Sequence, residues 1–429
     1  MKGSHRRRLN GLRAGVGGSR GRVAAIAGLS ALLLAGAFAS AAAPDEAAAP
    51  SSVASVATVP PPGDHWLWVP DRLLHHSLLV DGDAGLVRGI LDTPTELMFP
   101  PPLVSRSRGE IYSADILYSR GTRGTRSDFV SIYDWTTLAP KGEIEVPTRL
   151  GQSNTSLGYA ELLGDRFIAL FNQFPQVSVS ILDIDGRRFV GEIPIAGCAA
   201  IYPITQSRFA TLCGDGTALQ VDLDADGKKQ ETRSSKSFFD PVGDPVFMAA
   251  GRDGARWTFV TFSGSVRTID FSGATPRLLP EWSLLEAAGS SSDWRPGGLQ
   301  HVAIHAGTRR LYVVMHEGGS GGHKQPGPEI WVFDLDSQER VARFEPPNLT
   351  VAWIASVAGI DPESFTYRMM EWVMPPDGVH SIVVTPDERP VLFARNAERG
   401  AVAVMDARSG KLLRVIGDAG LAGPTLGVP

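Results

Sequence analysis

The chain has 429 residues, of which 20% are charged, and a formal net charge of −5 at pH 7. The length exceeds that of one ordinary domain, although repeat and propeller architectures accommodate it in a single closed unit. Because the charged residues are scattered and sum to a slight negative charge, the chain has no basic surface for nucleic acid, which is excluded as an expected partner.

The first 43 residues have the layout of a cleaved export signal. Arg6, Arg7 and Arg8 precede an apolar run over residues 23–39, and small residues follow up to Ala43. The alternative, a membrane-anchoring helix, is disfavoured because Gly and Ser interrupt the run, which is shorter than the roughly 20 residues of a stable span. We predict a signal peptide at 1–43, an Ala/Pro/Ser-rich disordered leader at 44–62, and one folded domain at 63–429 that is free of the membrane.

A strand–turn–strand motif recurs along the rest of the chain. Each copy is an alternating apolar strand that ends in Asp, then a short polar turn, then a second strand of β-favouring residues. The seven aspartates are Asp81, Asp134, Asp183, Asp222, Asp270, Asp334 and Asp406. Their intervals approach the roughly 40 to 50 residues of a propeller blade. Because one hairpin cannot bury both of its faces, we predict an all-β fold, a seven-bladed β-propeller.

The repeated aspartates are interpreted as structural, since an Asp that begins a turn accepts nearby backbone N–H groups. One turn has a rival interpretation: Asp222, Asp224 and Asp226 imitate the start of a calcium loop, whose twelfth residue must be Glu. Arg233 occupies that position. The turn is therefore favoured over a calcium site.

The chain contains two cysteines, Cys198 and Cys213. Export would carry both into an oxidising compartment, and their separation suits the two ends of a β-hairpin that turns at Gln206 and Ser207. We predict a structural disulfide between them. Two free buried thiols or half of a metal site are the alternatives, the latter poorly supported because no histidine lies nearby in the sequence.

No convincing catalytic constellation is found among the other polar residues. His301 and His305 have the spacing of zinc ligands on a helix, but the segment is predicted to be a strand and an HExxH glutamate is absent, so a histidine hydrogen-bonded within a blade is favoured. The glycine-rich loop 315–328 lacks the P-loop order and is predicted to be a long exposed interface loop. We expect no catalytic residue, cofactor or metal in this chain.

The segment WRPGGLQHVAIH, from Trp294 to His305, is the most distinctive stretch of the chain. Further distinctive stretches are YSRGTRGTRSDFVSIYD at 118–134, FNQF at 171–174, TPDERPVLF at 385–393 and DARSG at 406–410. Together with the spacing of the two cysteines, they resemble the heavy (alpha) subunit of tryptophan tryptophylquinone-dependent amine dehydrogenases, the methylamine and aromatic amine dehydrogenase family.

This resemblance implies a scaffolding role in the periplasm. Members of the family assemble as two heavy and two light chains, and the light chain carries tryptophan tryptophylquinone and the catalytic base. The assembled enzyme converts a primary amine to an aldehyde and ammonia and passes electrons to a blue copper protein or a c-type cytochrome. The heavy chain is then expected to dock the light chain, to wall the amine channel and to contribute to the acceptor surface.

The sequence departs from the family pattern in two places. Near Leu73 and Leu74 the family carries a phenylalanine at the mouth of the substrate channel, and no phenylalanine stands here. We therefore expect a more open mouth at these leucines. The second departure is an insertion at 351–376, whose aromatic and methionine residues indicate either an interface or core packing.

Two other classes of function remain open at the level of sequence. A stand-alone periplasmic propeller that binds a partner or ligand is the principal alternative, because a propeller does not dictate function. A hydrolase with a metal in the central channel would need converging acidic or histidine ligands, which are not apparent. A neighbouring gene for a small, cysteine-rich exported chain would favour the dehydrogenase.

Overall fold

The computed structural model describes residues 58–71, 73–93, 100–148, 157–289, 293–319 and 321–429. The predicted signal peptide and most of the predicted leader lie outside the described residues. Among the residues that are described, no helix is both long enough and apolar enough to cross a membrane.

Seven antiparallel sheets form the blades of a β-propeller, as predicted. The first three blades consist of β1 (Trp66–Asp71), β2 (His76–Asp81) and β3 (Leu86–Asp92); β4 (Leu103–Ser105), β5 (Glu110–Tyr118), β6 (Arg126–Asp134) and β7 (Pro140–Val146); and β8 (Ala160–Leu163), β9 (Phe167–Asn172), β10 (Ser178–Asp183) and β11 (Arg188–Pro194).

The remaining four blades follow in chain order. They consist of β12 (Cys198–Thr205), β13 (Arg208–Cys213), β14 (Ala218–Leu223) and β15 (Lys229–Ser234); β16 (Val246–Asp253), β17 (Arg256–Thr261), β18 (Ser265–Asp270), β19 (Arg277–Leu278) and β20 (Trp282–Ser283); β21 (Trp294–Pro296), β22 (Val302–His305), β23 (Arg310–Glu317), β24 (Glu329–Asp334) and β25 (Arg340–Phe344); and β26 (Ser381–Val384), β27 (Val391–Arg395), β28 (Val402–Asp406) and β29 (Leu412–Ile416). In the described part of the chain, three helices lie between strands: α1 (Leu284–Ala287), α2 (Leu349–Ala358) and α3 (Phe365–Val373).

Burial along the strands reflects the stacking of blades. Strands in the middle of a blade, such as β9 and β10, are buried at every residue because neighbouring blades cover both of their faces. Outer strands such as β3 and β15 are mostly exposed. The apolar core therefore lies between the sheets, and each blade depends on its neighbours to cover it.

The seven repeated motifs form the two outermost strands of the blades and the turn between them. At the sixth blade, Asp334 Oδ1 accepts the backbone N–H groups of Asp336 (2.9 Å) and Ser337 (2.8 Å). Equivalent backbone hydrogen bonds are made by Asp81, Asp134, Asp183, Asp270 and Asp406. The structural interpretation of the aspartates is confirmed at these six positions.

The fourth blade departs from this arrangement. The turn N–H groups of Asp226 and Lys228 are accepted by Asp224, two residues beyond the repeated position. Asp222 forms ion pairs with Arg208 and with Arg233, whose Nη1 lies 2.8 Å from Asp222 Oδ2. The residue that stands where a calcium loop needs a glutamate therefore neutralises the first acidic residue of that loop.

The predicted disulfide is present. Cys198 and Cys213 face each other at the open end of the β12–β13 hairpin, with an S–S distance of 2.02 Å. The bridge joins the inner strand of the fourth blade to its neighbour.

The C-terminal segment closes the ring. The first blade has only three strands of its own, and Gly427 pairs with Trp68 of β1 through two backbone hydrogen bonds of 2.7 and 3.0 Å. Gln300, just before β22, holds the same segment: its Nε2 donates to the carbonyl of Leu426 (3.0 Å), and its Oε1 accepts the Leu426 N–H (2.9 Å). The first blade, the C-terminal segment and the start of the sixth blade thus meet around Trp68, Leu426 and Gln300.

The packed structure begins before the predicted boundary at residue 63. The N–H of Val59 donates to Thr136 O (2.7 Å), and Trp135 Nε1 donates to Pro60 O (2.9 Å). Val59 is buried against Trp66 and Trp135. The end of the predicted leader therefore joins the core, because one valine and a carbonyl are enough to dock it on the second blade.

Chain direction divides the propeller into two ends. In each blade, the loop between the second and third strands and the connection to the next blade lie at the same end, which we call the connection end. For the seven blades these second-to-third loops are 72–75, 119–125, 173–177, 214–217, 262–264, 318–328 and 396–401. The aspartate turns lie at the opposite end, which we call the turn end.

Replacement Gln300→Ala should weaken the closure of the ring. The change removes two hydrogen bonds to Leu426, and we expect a loss of about 2 kcal/mol in the free energy of unfolding. Urea unfolding of the variant and of a Gln230→Ala control, which removes an exposed glutamine from β15, provides the measurement. Equal stabilities of the two variants would contradict a role for Gln300 in closure.

Candidate functional site

The segments that the sequence singled out for partner contacts gather at the connection end. Leu73 and Leu74 lie in the loop after β1, and α2 and α3 form the connection between β25 and β26. Of the glycine-rich loop predicted at 315–328, residues 315–317 instead end β23, where Met315 and His316 are buried, and the described residues 318–319 and 321–328 form the loop. Leu73 and Leu74 are 57% and 49% exposed. The turn end carries the repeated aspartates and their arginine partners, so the candidate interface belongs to the opposite end.

A buried aspartate positions the two exposed leucines. Asp71 is fully buried, and its Oδ1 accepts the backbone N–H groups of Leu73 (2.8 Å) and Leu74 (3.1 Å). Its Oδ2 accepts the N–H of Leu421 from the C-terminal segment. The loop that presents the leucines is thus tied to the segment that closes the ring.

Arg395 provides the positive charge beneath this loop. The side chain is fully buried, and it donates to Pro70 O (3.1 Å) and Ala419 O (3.3 Å). Burial lowers the pKa of Arg395 to about 10, while the nearby charge of Asp71 opposes that change. The Asp71 carboxylate and the Arg395 guanidinium therefore form a buried charged layer under the connection end, a costly arrangement that hydrogen bonds must support.

The WRPGG segment is a structural junction. The Trp294 ring packs on Trp331 with centroids 5.2 Å apart, and the Arg343 guanidinium lies 5.6 Å from the centre of the Trp294 ring. Gly298 has φ +117°, and a side chain there would collide with the carbonyl of His380. A Cβ on Gly297 would press on His316. Gly298 therefore lets the sixth and seventh blades approach each other, and Gly297 lets the chain pass close to β23 within the sixth blade.

His301 lies in an aromatic cluster rather than in a polar site. Its ring is fully buried, both of its nitrogen atoms are without a hydrogen-bond partner, and its centroid lies 3.8 Å from that of Phe247. The rings of Phe262 and His323 stack with centroids 4.2 Å apart, and the Phe262 centroid lies 4.6 Å from that of Phe247. Because the surroundings penalise the charged imidazolium, burial lowers the pKa of His301 to about 3.

His305 has ordinary hydrogen-bond partners at the far end of β22. Its Nδ1 is 2.7 Å from Thr308 Oγ1 and its Nε2 is 2.9 Å from Asp387 O. Over the described part of the chain, no group of three His, Cys, Asp or Glu side chains is close enough to hold a metal ion. The two histidines singled out by their spacing therefore occupy separate environments, one apolar and one hydrogen-bonded.

A cavity of about 120 Å³ lies between the inner strands of the third to sixth blades. Glu161, Tyr202, Trp257 and Gln300 contribute to its lining. Burial raises the pKa of Glu161 to about 8, although Arg252 and the N–H of Gly158 oppose the rise. Glu161 is the single carboxyl group among the described lining residues. The cavity therefore offers one group that can hold a proton at neutral pH.

Comparisons with known proteins agree with these observations. The family model "Methylamine dehydrogenase heavy chain (MADH)" matches residues 72–352. The methylamine dehydrogenase heavy chain of Methylorubrum extorquens is 26% identical over 351 residues, which cover 81% of this chain and 77% of that protein. The corresponding heavy chain of Paracoccus versutus is 27% identical over 349 residues, covering 80% of this chain and 73% of that one.

A solved structure shows the same fold at lower similarity. Dihydro-heme d1 dehydrogenase NirN superposes with a TM-score of 0.50 at 17% identity and covers 88% of this chain and 77% of that chain. Fold and disulfide together define a seven-bladed, disulfide-bridged β-propeller. The chain belongs to the methylamine dehydrogenase heavy chain family, and is accordingly an amine dehydrogenase heavy subunit, as its sequence resemblance indicated.

The residues that organise this end of the propeller were not identified from sequence. Asp71, Arg395 and Gln300 each make contacts across the chain, with partners up to 350 residues away in sequence. One signal was available in the sequence: Arg395 is a charged residue at the end of the apolar strand VLFAR (β27), which indicates a buried charge that needs partners.

The buried imidazole of His301 should make the protein acid-sensitive. The unfolded chain binds a proton there below pH about 6.5, whereas the folded chain does not until about pH 3. The contribution of His301 to the free energy of unfolding is therefore fully present above pH 6.5. It falls by up to ~1.4 kcal/mol per pH unit as the pH drops from about 6.5 to about 3.

We expect His301→Phe to flatten the dependence of unfolding free energy on pH between 7 and 4. A His75→Asn variant, which changes an exposed histidine at a positive φ, serves as the control and should follow the wild type. An unchanged slope in His301→Phe would show that this ring is not the acid-sensitive group.

Proposed function

We propose that the chain is the non-catalytic heavy subunit of a periplasmic, quinone-dependent amine dehydrogenase. The family match over residues 72–352 carries this proposal. The assembled enzyme would convert a primary amine to an aldehyde and ammonia, with tryptophan tryptophylquinone in a partner light chain supplying the oxidation. Two heavy and two light chains would form the complex.

The proposed role of this chain is to bind the light chain and to hold it in a fixed orientation. The connection end presents exposed apolar side chains on a base tied by Asp71 and Arg395, which suits a rigid docking surface for the light chain. Rigid presentation lowers the entropic cost of association. Electrons would leave the complex for a blue copper protein or a c-type cytochrome, with part of the acceptor surface on this chain.

Leu73 and Leu74 are proposed to form the mouth of the amine channel. Their exposure fits residues that a partner covers or a substrate passes. A leucine side chain is smaller than the phenylalanine side chain that the family carries at the mouth. The mouth should consequently admit amines bulkier than methylamine.

The first test is co-expression with any small, cysteine-rich chain that is encoded beside this one, in a host that makes the cofactor. Purification through this chain should yield a visible quinone band that primary amines bleach. A soluble heavy chain without a chromophore-bearing partner would favour instead a stand-alone propeller that binds a ligand or protein.

The second test concerns the mouth. With the assembled enzyme, we expect kcat/KM for benzylamine or 2-phenylethylamine to lie within tenfold of the value for methylamine. Replacement Leu73→Phe should lower kcat/KM for the bulky amine more than for methylamine, because the ring narrows the opening. Failure of bulky amines to react with the wild type would contradict an open mouth.

A further inference from the structure

The helical hairpin formed by α2 and α3 carries an apolar surface that the propeller does not cover. Asn348 begins α2 by accepting the Val351 N–H (3.2 Å), and Gly359 ends it with φ 65°. Ser364 begins α3 in the same way. The family match stops at residue 352, near the start of α2, so the hairpin lies largely outside the matched region.

One side of the hairpin is packed. Tyr367 is buried against Val351 and Ala355 of α2, and Met370 and Met374 pack beside it. The three α3 residues recur at intervals of three and four, so they share one face of the helix. Asn348 Nδ2 also donates to Met374 O (3.1 Å) and to Pro375 O (3.1 Å), which fixes the end of α3 to the start of α2. Core packing therefore explains this half of the aromatic and methionine residues.

The other side of α3 is apolar and exposed. Phe365, Met369, Trp372 and Val373 recur at intervals of four, three and one, and share the opposite stripe. Trp372 is 87% exposed and Phe365 75%. Val357 of α2 adds a further exposed side chain, at 74%. An exposed apolar cluster of this kind on a rigid support marks an interaction surface.

The hairpin joins the proposed channel mouth through a short series of contacts. Trp353 and Ser356 of α2 lie against Gly400 and Gly417, where a Cβ would collide with them. The carbonyl of Gly400 accepts the N–H of Ala419 (2.7 Å).

From there the C-terminal segment leads directly to the mouth. Leu421, 40% exposed, donates its N–H to Asp71, the residue that holds Leu73 and Leu74. These contacts join α2, residues 417–421 and the loop of Leu73 and Leu74 into one band of the connection end.

From this continuity we propose that the quinone-bearing light subunit contacts the hairpin as well as the mouth, with Phe365 and Trp372 as its anchors. The inference rests on the proposed function, because it assigns the partner of the same end. A partner already seated at Leu73 and Leu74 needs only to extend along the band to cover the hairpin. Aromatic side chains give large contact area at small entropic cost and are enriched among residues that dominate binding.

The test compares two double variants of the heavy chain, each co-expressed with the light chain and purified as the assembled complex. Phe365→Ser with Trp372→Ser removes the anchors. Leu412→Ser with Leu413→Ser removes exposed leucines, 42% and 48% exposed, from the outer strand of the seventh blade and serves as the matched control. Dissociation on dilution is followed by analytical ultracentrifugation at the quinone absorbance.

We expect the anchor variant to raise the dissociation constant for the light chain at least tenfold and the control to change it less than threefold. Equal dissociation constants for the two variants would overturn the proposal. Circular dichroism melts of the isolated heavy chains verify that both variants fold. Self-association of the wild-type heavy chain alone, lost in the anchor variant, would assign the hairpin to a second copy and would also overturn it.

A third variant, Leu73→Asp with Leu74→Asp, separates this inference from the proposed function. If it releases the light chain while the anchor variant does not, the docking end is right and only the role of the hairpin is wrong. If the wild-type heavy chain retains no quinone-bearing chain at all, the proposed function itself fails.

Discussion

Closure of the ring is the constraint on which the rest of this structure depends. Each blade covers its neighbours, so an open ring would expose the apolar faces of two blades at once. The chain closes it with its C-terminal segment: Gly427 pairs with Trp68, and Gln300 holds Leu426 from the sixth blade. Backbone pairing supplies direction and register, while the glutamine couples closure to the junction of the sixth and seventh blades.

The same closure also builds the candidate docking surface. The C-terminal segment that completes the first blade passes Asp71, which holds Leu73 and Leu74, and Gly400, which lies against α2. The buried Arg395 donates to Pro70 O and Ala419 O and interacts electrostatically with Asp71, within a region where a lone charge would be costly. Residues that stabilise the ring are therefore the residues that orient the surface, and a defect in closure would be felt at the partner interface as well.

Local pattern accounts for what could be predicted from sequence. The repeated aspartate is predictable at six of the seven blades because it binds backbone N–H groups within three residues of itself, and the cysteine pair is predictable because it spans one hairpin. Asp71, Gln300 and Arg395 escape prediction because their partners are distant in sequence. Val59 was assigned to a disordered leader because composition alone does not reveal that one side chain and one carbonyl dock on the second blade.

The signature segment illustrates how recognition and function differ. WRPGG identified the family, yet its tryptophan packs against Trp331 and its glycines admit His316 and His380. Gly298 brings the sixth and seventh blades together, while Trp294 and Gly297 pack within the sixth blade. In a heavy chain of this family, the segment therefore fixes the relative placement of neighbouring strands and blades. A misplaced blade would shift the loops of the connection end, because exposed loops take their position from the rigid elements that carry them.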